Sequence, residues 1–195
     1  MLFALRGESL QSKGMINTMR GYFGIGVEGV SKPFNVGNLM RSGHAFGAQF
    51  IFTVSAEYSG VASDTAKTHK QVPFYQFGSV ADLVLPEKCS LVGIEIMDEA
   101  TDLPSFFHPI NAAYVLGPER GSLSADMVGR CDFVVRIPTK FSVNLGVAGA
   151  IVLYDRMLSS ARFGERPLNS RAAIAKRPQH VYGSPVKRSI RTKRR

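Results

Sequence analysis

Apolar residues in this chain fall in short, dense runs separated by glycine, proline and polar stretches, and the runs alternate between strand-like and helix-like spacing. Residues 22–27 are apolar and bounded by glycine, which predicts a buried strand. Residues 35–47 place Val36, Leu39, Met40 and Phe46 near helical spacing and stop at Gly47, as helices often do. Residues 50–54, 73–77 and 91–96 predict three more strands, and 113–116 and 133–137 are two further buried runs around a polar 122–130 segment. Residues 57–72 read as a loop, 79–83 as a short helix capped by Ser79, and 103–107 as a helical turn before His108-Pro109. Residues 143–160, apolar-rich and free of proline, predict a closing helix. Near-continuous apolar strands alternating with helices argue for an α/β fold with a mostly parallel sheet covered on both faces.

Charge divides the chain in two. Residues 161–195 hold eleven Lys/Arg and one acid, whereas residues 1–160 are nearly neutral, with thirteen Lys/Arg and fourteen Asp/Glu. The basic end, with Pro167, Pro178 and Pro185 and little apolar content, predicts a disordered tail, read either as an electrostatic arm for nucleic-acid phosphates or as a segment that only keeps the protein soluble, with the arm preferred. Residues 1–18 read as a disordered N-terminal extension, with Met15 and Met19 as alternative starts. A chain of 195 residues with 45% apolar content supports one core, placed at residues 19–160. Cys89 and Cys131 are too few and too far apart for a zinc site or a disulfide framework, and read as small buried or half-buried apolar side chains. No metal is called for. No apolar run reaches the roughly 18 residues of a spanning helix, and the first six residues are too short a core for a secretory signal. The expectation is a cytoplasmic protein without a membrane partner.

Gly24-Ile-Gly26-Val-Glu-Gly29 matches the dinucleotide-binding pattern G-x-G-x-x-G, but that chemistry needs a helix to begin at the glycines. Here helical spacing starts only at Asn35, so the match is read as a decoy. Three other runs carry more: Asn35-Val-Gly-Asn-Leu-Met-Arg41, Leu116-Gly-Pro-Glu119-Arg-Gly121, and Ile137-Pro-Thr-Lys-Phe-Ser142-Val-Asn144. Each sets polar side chains beside glycine or proline, where tight turns let a ligand approach the main chain. Asn35 is placed at a helix start and Arg41 six residues on. Glu119 follows a buried strand, at the end where open α/β sheets hold their ligands. Ser142 and Asn144 open the closing helix, with Ser142 in the position of a cap.

In order and spacing these runs resemble the three signature motifs of the SpoU (TrmH-like) RNA 2′-O-ribose methyltransferases, of the SPOUT class, over roughly residues 20–160. Ser42-Gly43 stands where the family has Thr-Ala, Ser-Val-Asn where it has Ser-Leu-Asn or Ser-Met-Asn, and the loop before Ser142 is short. The resemblance implies a SPOUT-type sheet with a C-terminal trefoil knot, a homodimer, and S-adenosylmethionine as cofactor. It implies that Asn35, Arg41, Glu119, Ser142 and Asn144 serve catalysis, with Arg41 facing ribose and phosphate and Glu119 supporting it. It also implies that Ile94, Leu116, Gly117, Ile137, Ser142 and Val143 contact the cofactor. The implied activity is methyl transfer to a ribose 2′-hydroxyl, with tRNA the expected substrate and rRNA the alternative. A binding module that has lost catalysis would be expected to lack Arg41, Glu119 or Asn144, and all three are present. An unrelated nucleotide-dependent α/β enzyme would instead be expected to bind nicotinamide.

Overall fold

The structure, a computed structural model, describes residues 21–29, 33–56, 70–118 and 121–159. The expected N-terminal extension, most of the 57–72 loop, Glu119 and the basic tail lie outside them. The elements run β1 (Phe23–Glu28), α1 (Pro33–Phe46), β2 (Phe50–Val54), β3 (Phe74–Phe77), β4 (Ser90–Ile94), β5 (Thr101–Asp102), β6 (Ala112–Leu116), α2 (Ala125–Arg130), β7 (Phe133–Arg136) and α3 (Leu145–Ser159). The strands form one seven-stranded sheet in the order β3-β2-β1-β6-β4-β7-β5, and every pairing is parallel. The expected α/β class and parallel sheet are therefore present.

Successive strand residues point to opposite faces, and both faces are covered. Ile25, Val27, Ile51, Val92, Tyr114 and Val135 pack beneath α1 and α3, which supply Val36, Leu39, Met40, Leu145 and Val152. On the other face Phe50, Phe52, Leu91, Ala113 and Val115 meet Leu123, Met127 and Leu83. Arg130 of α2 donates to the Val80 and Leu83 carbonyls, joining that helix to the preceding turn.

The glycines of the dinucleotide-like pattern have a packing role. Gly24 and Gly26 lie within β1, where an added Cβ would sit 2.2 Å from the Phe50 ring and 2.5 Å from the Phe52 carbonyl oxygen. They admit the aromatic rows of β2, and no helix begins at them. On α3, a Cβ on Gly149 would fall 2.2 Å from Leu39 and one on Gly146 3.1 Å from Asn38. The small residues of the closing helix thus bring α1 and α3 together within one chain.

Several expectations need correction. Residues 79–83 form successive turns, with Ser79 Oγ donating to Asp82 at 2.7 Å; Asp82 N and Leu83 N bond three residues back, to the Ser79 and Val80 carbonyls, and no α-helix forms. The helical turn at 103–107 is a 3₁₀ turn over Leu103–Ser105. Helix α1 starts at Pro33, ahead of Asn35. The segment 122–130 contains α2, whose cap is Ser124: its hydroxyl accepts from Met127 N at 3.1 Å. The two-residue β5 is an addition, held to β7 partly by Arg136 Nε donating to Asp102 at 2.6 Å.

A buried polar chain ties the C-terminal half of α3 to the sheet. Arg156 donates to the carbonyls of Pro109 (2.6 Å) and Ile110 (2.7 Å) and to the Tyr114 hydroxyl (3.0 Å). Arginine has no acceptor, so the Tyr114 proton goes to His108 Nδ1, 2.6 Å away, and His108 Nε2–H donates to Asp155 at 3.0 Å. His108 is therefore neutral in one tautomer. Burial lowers its pKa below 6.5, against the opposing pull of Asp155, and burial pushes Tyr114 up to about 12. The unfolded chain takes up the His108 proton first, so this contribution to stability is complete above pH 6.5 and declines as the pH falls. Urea denaturation between pH 7.5 and 5 should show that decline, and His108→Leu, though less stable throughout, should lack that component. An equal decline in both proteins would contradict the assignment.

Candidate active site

Parallel strands direct their carboxyl ends to one edge, and a cavity of about 410 Å³ opens there over β4, β6 and β7. That volume lies in the range of small-molecule sites, about 300–1,000 Å³. The six residues expected to contact a cofactor, Ile94, Leu116, Gly117, Ile137, Ser142 and Val143, all line it, as do Asn35 and Asn144. Ile94 and Leu116 arrive as the last, buried residues of β4 and β6, paired in register. Gly117 follows at once. A Cβ there would meet Leu123 N at 2.9 Å and the Ser122 carbonyl carbon at 3.1 Å, so only glycine lets the 121–124 segment fold over the strand end.

Two carboxylates that the sequence reading passed over hold that segment. Glu28, at the end of β1 and 7% exposed, accepts from Ser124 N (2.8 Å) and Ser124 Oγ (2.6 Å). Glu95, just beyond β4, accepts from Leu123 N (2.8 Å) and from Ile96 N (2.9 Å). Strands β1 and β4 flank β6, so the loop leaving β6 is pinned from both sides. The available signal was an acid at the end of a buried strand, next to a glycine in the case of Glu28. The 137–144 segment closes the cavity opposite, tightened by Thr139, whose amide donates to the Ile137 carbonyl (2.7 Å) and whose hydroxyl donates to that of Phe141 (2.8 Å).

The cap of α3 is Asn144, two residues later than the expected Ser142. Its Oδ1 accepts from Gly146 N at 2.9 Å and its carbonyl from Ala148 N at 2.8 Å. Its Nδ2 donates to Asn35 Oδ1 at 3.1 Å, joining the first and third motifs. Arg41 stands apart from the cavity. It is exposed in a neighbouring groove between α1 and α3, with Asn38, Val147 and Tyr154, and Asn144 lines both spaces. Glu119 falls outside the described residues. Among the described residues no three His, Cys, Asp or Glu are grouped to hold a metal. Both cysteines are free and half-buried, and burial pushes the Cys131 thiol up to about 11.

The fold is a parallel α/β domain with a cavity at the carboxyl edge of its sheet. The profile of the SpoU rRNA Methylase family matches residues 23–154, and the chain belongs to that family. It is 28% identical over 140 residues to 23S rRNA (guanosine-2'-O-)-methyltransferase RlmB of Coxiella burnetii, covering 66% of this chain and 55% of that one. It is 26% identical over 140 residues to tRNA (guanosine(18)-2'-O)-methyltransferase TARBP1 of Mus musculus, covering 65% of this chain and 9% of that one. The chain thus spans about half or less of these relatives. Among solved structures, the A. aeolicus TrmH/SpoU tRNA modifying enzyme superposes with a TM-score of 0.63 at 18% identity, covering 74% of this chain and 78% of that one. The SpoU methyltransferase AviRb from Streptomyces viridochromogenes, in complex with the cofactor AdoMet, gives 0.63 at 22% identity, covering 71% and 62%. At these identities the likeness is one of fold.

Because Asn144 is both cap and tie, Asn144→Ala should lower stability by about 1 kcal/mol or somewhat more. Chemical denaturation is the measurement, and unchanged stability would refute the capping role.

Proposed function

We propose that this domain transfers a methyl group from S-adenosylmethionine to a ribose 2′-hydroxyl of RNA. The observation that carries the reading is the convergence of residues from separate motifs on one cavity at the carboxyl edge, in a chain of the SpoU family. When bound, the cofactor supplies a methyl group already activated on a sulfonium. The chain's task is then to hold and align. Gly117 leaves main chain bare at the cavity wall, Ile137, Ser142 and Val143 form the opposite wall, and Ile94 and Leu116 form an apolar floor. Alignment of reacting groups can contribute roughly 7–11 kcal/mol.

Arg41 supplies positive charge beside the cavity. Its guanidinium stays protonated, so it acts as a cation that stabilises the developing alkoxide and holds the adjoining phosphate, while the proton leaves to phosphate or water. Asn35 and Asn144 set the two helices that position it, and Glu119 supports the same region. A second copy seated on the α1–α3 groove completes the site. Support comes from the groove's exposed apolar side chains, Val147 (50%) and Tyr154 (45%), beside Arg41. The knot belongs to the same reading, with 137–144 and α3 as its closing segment.

We take tRNA as substrate before rRNA, as the motif resemblance implies; named relatives of both kinds match the domain. The basic residues 161–195 serve as an arm for RNA phosphates, and the setting is cytoplasmic. No helix among the described residues is long and apolar enough to cross a membrane.

Arg41→Ala should reduce methyl transfer on the order of 100-fold or more and leave cofactor affinity nearly unchanged. Single-turnover assays with calorimetric titration of the cofactor decide it. Near-normal turnover would leave Arg41 as surface charge only.

A further inference from the structure

We infer that Glu95 is the residue by which this site distinguishes the charged methyl donor from its neutral demethylated product. The inference rests on the S-adenosylmethionine reading above. Among the described residues lining the cavity, Glu95 is the sole ionisable side chain; the others are apolar, glycine or proline, or neutral amides and hydroxyls. Its carboxylate is fixed in place. Oε1 accepts from Ile96 N at 2.9 Å and Oε2 from Leu123 N at 2.8 Å. Oε2 would lie 3.3 Å from a Cβ on Gly117, which sets the carboxylate against the bare main chain of the wall. Each oxygen has lone pairs beyond the one engaged by an amide. No cation is paired with Glu95 among the described residues.

S-adenosylmethionine and S-adenosylhomocysteine share the adenosine, the ammonium and the carboxylate. They differ by one methyl and by the sulfonium charge that leaves with it. A fixed negative charge in a partly enclosed cavity attracts the donor and has no such hold on the product, because opposite charges interact more strongly away from bulk water. Transfer of the methyl therefore removes the charge that Glu95 holds, and the product is loosened by the reaction itself. Amide bonds alone would give Glu95 a second role, pinning the 121–124 segment. That role is blind to the ligand's charge, and its loss weakens both ligands alike.

Glu95→Gln separates the two. Its amide oxygen keeps the acceptor for Leu123 N, while the charge and the acceptor for Ile96 N are gone; Glu95→Ala removes the charge and both acceptors. Calorimetric titration of the full chain with each ligand should show Glu95→Gln weakening S-adenosylmethionine about tenfold, with S-adenosylhomocysteine affected little. Glu95→Ala should weaken both. In the unaltered protein, raising the salt concentration should weaken the donor more than the product, a readout that needs no variant to fold. Equal weakening of both ligands in Glu95→Gln, or equal salt dependence, overturns the inference and leaves the cofactor reading standing. Failure of the unaltered protein to bind either ligand overturns both.

Discussion

Strand β6 has no exposed side chain. Ala112, Ala113, Tyr114, Val115 and Leu116 are all buried, in register with β1 on one side and β4 on the other. A strand buried on both faces and paired on both edges has no freedom to shift, since sliding by one residue would turn every side chain to the wrong face. The residue that follows is therefore delivered to a fixed point at the carboxyl edge of the sheet, and that residue is Gly117. The chain must turn there without a side chain, under a loop whose amides are taken by Glu28 and Glu95. The wall of the cavity follows from these constraints, and the proposed cofactor contacts depend on that wall.

The opposite wall depends on the second constraint, the close approach of α1 and α3. Gly146 and Gly149 let the helices meet at Asn38 and Leu39, and the Asn35–Asn144 bond locks their first turns together. At the far end of α3, Arg156 fastens the helix to the Pro109 and Ile110 carbonyls and to Tyr114. Helix α3 is thus held at both ends, and Asn144 is held between the cavity and the groove that contains Arg41. This division, with a pocket that holds one carboxylate in one place and a cation in the next, suits the proposed reaction, which brings together a small cationic cofactor and a phosphate-rich chain.

What the amino-acid pattern disclosed, and what it hid, has a physical basis. The long buried runs declared themselves, because each strand of the parallel sheet is apolar on both faces: β2 and β6 lie where the sequence placed them, within a residue. The decoy at Gly24–Gly29 was separable by context, and the structure supplies the reason in the Phe50 and Phe52 rings. Short elements were not legible. β5 is two residues long, and α2 is a six-residue helix with one fully buried side chain, Met127, too little to leave a period. Ser142 was a reasonable cap on residue type, but the buried Asn35 offers its oxygen to Asn144, and that long-range partner is invisible in local sequence. The six residues expected around a cofactor do line one cavity, whereas Arg41's separation from it and the two carboxylate pins arise from chain segments brought together only by folding. Glu28 and Ser124 are 96 residues apart.

The proposal on which the rest depends is methyl transfer to ribose at the carboxyl-edge cavity. The direct measurement is incubation of the protein with tRNA, rRNA and S-adenosylmethionine labelled in the methyl group, followed by complete nuclease digestion and identification of the labelled nucleosides. Label is expected in a 2′-O-methylnucleoside. Label confined to bases, or no label in either RNA from a protein shown to be folded, would contradict the proposal.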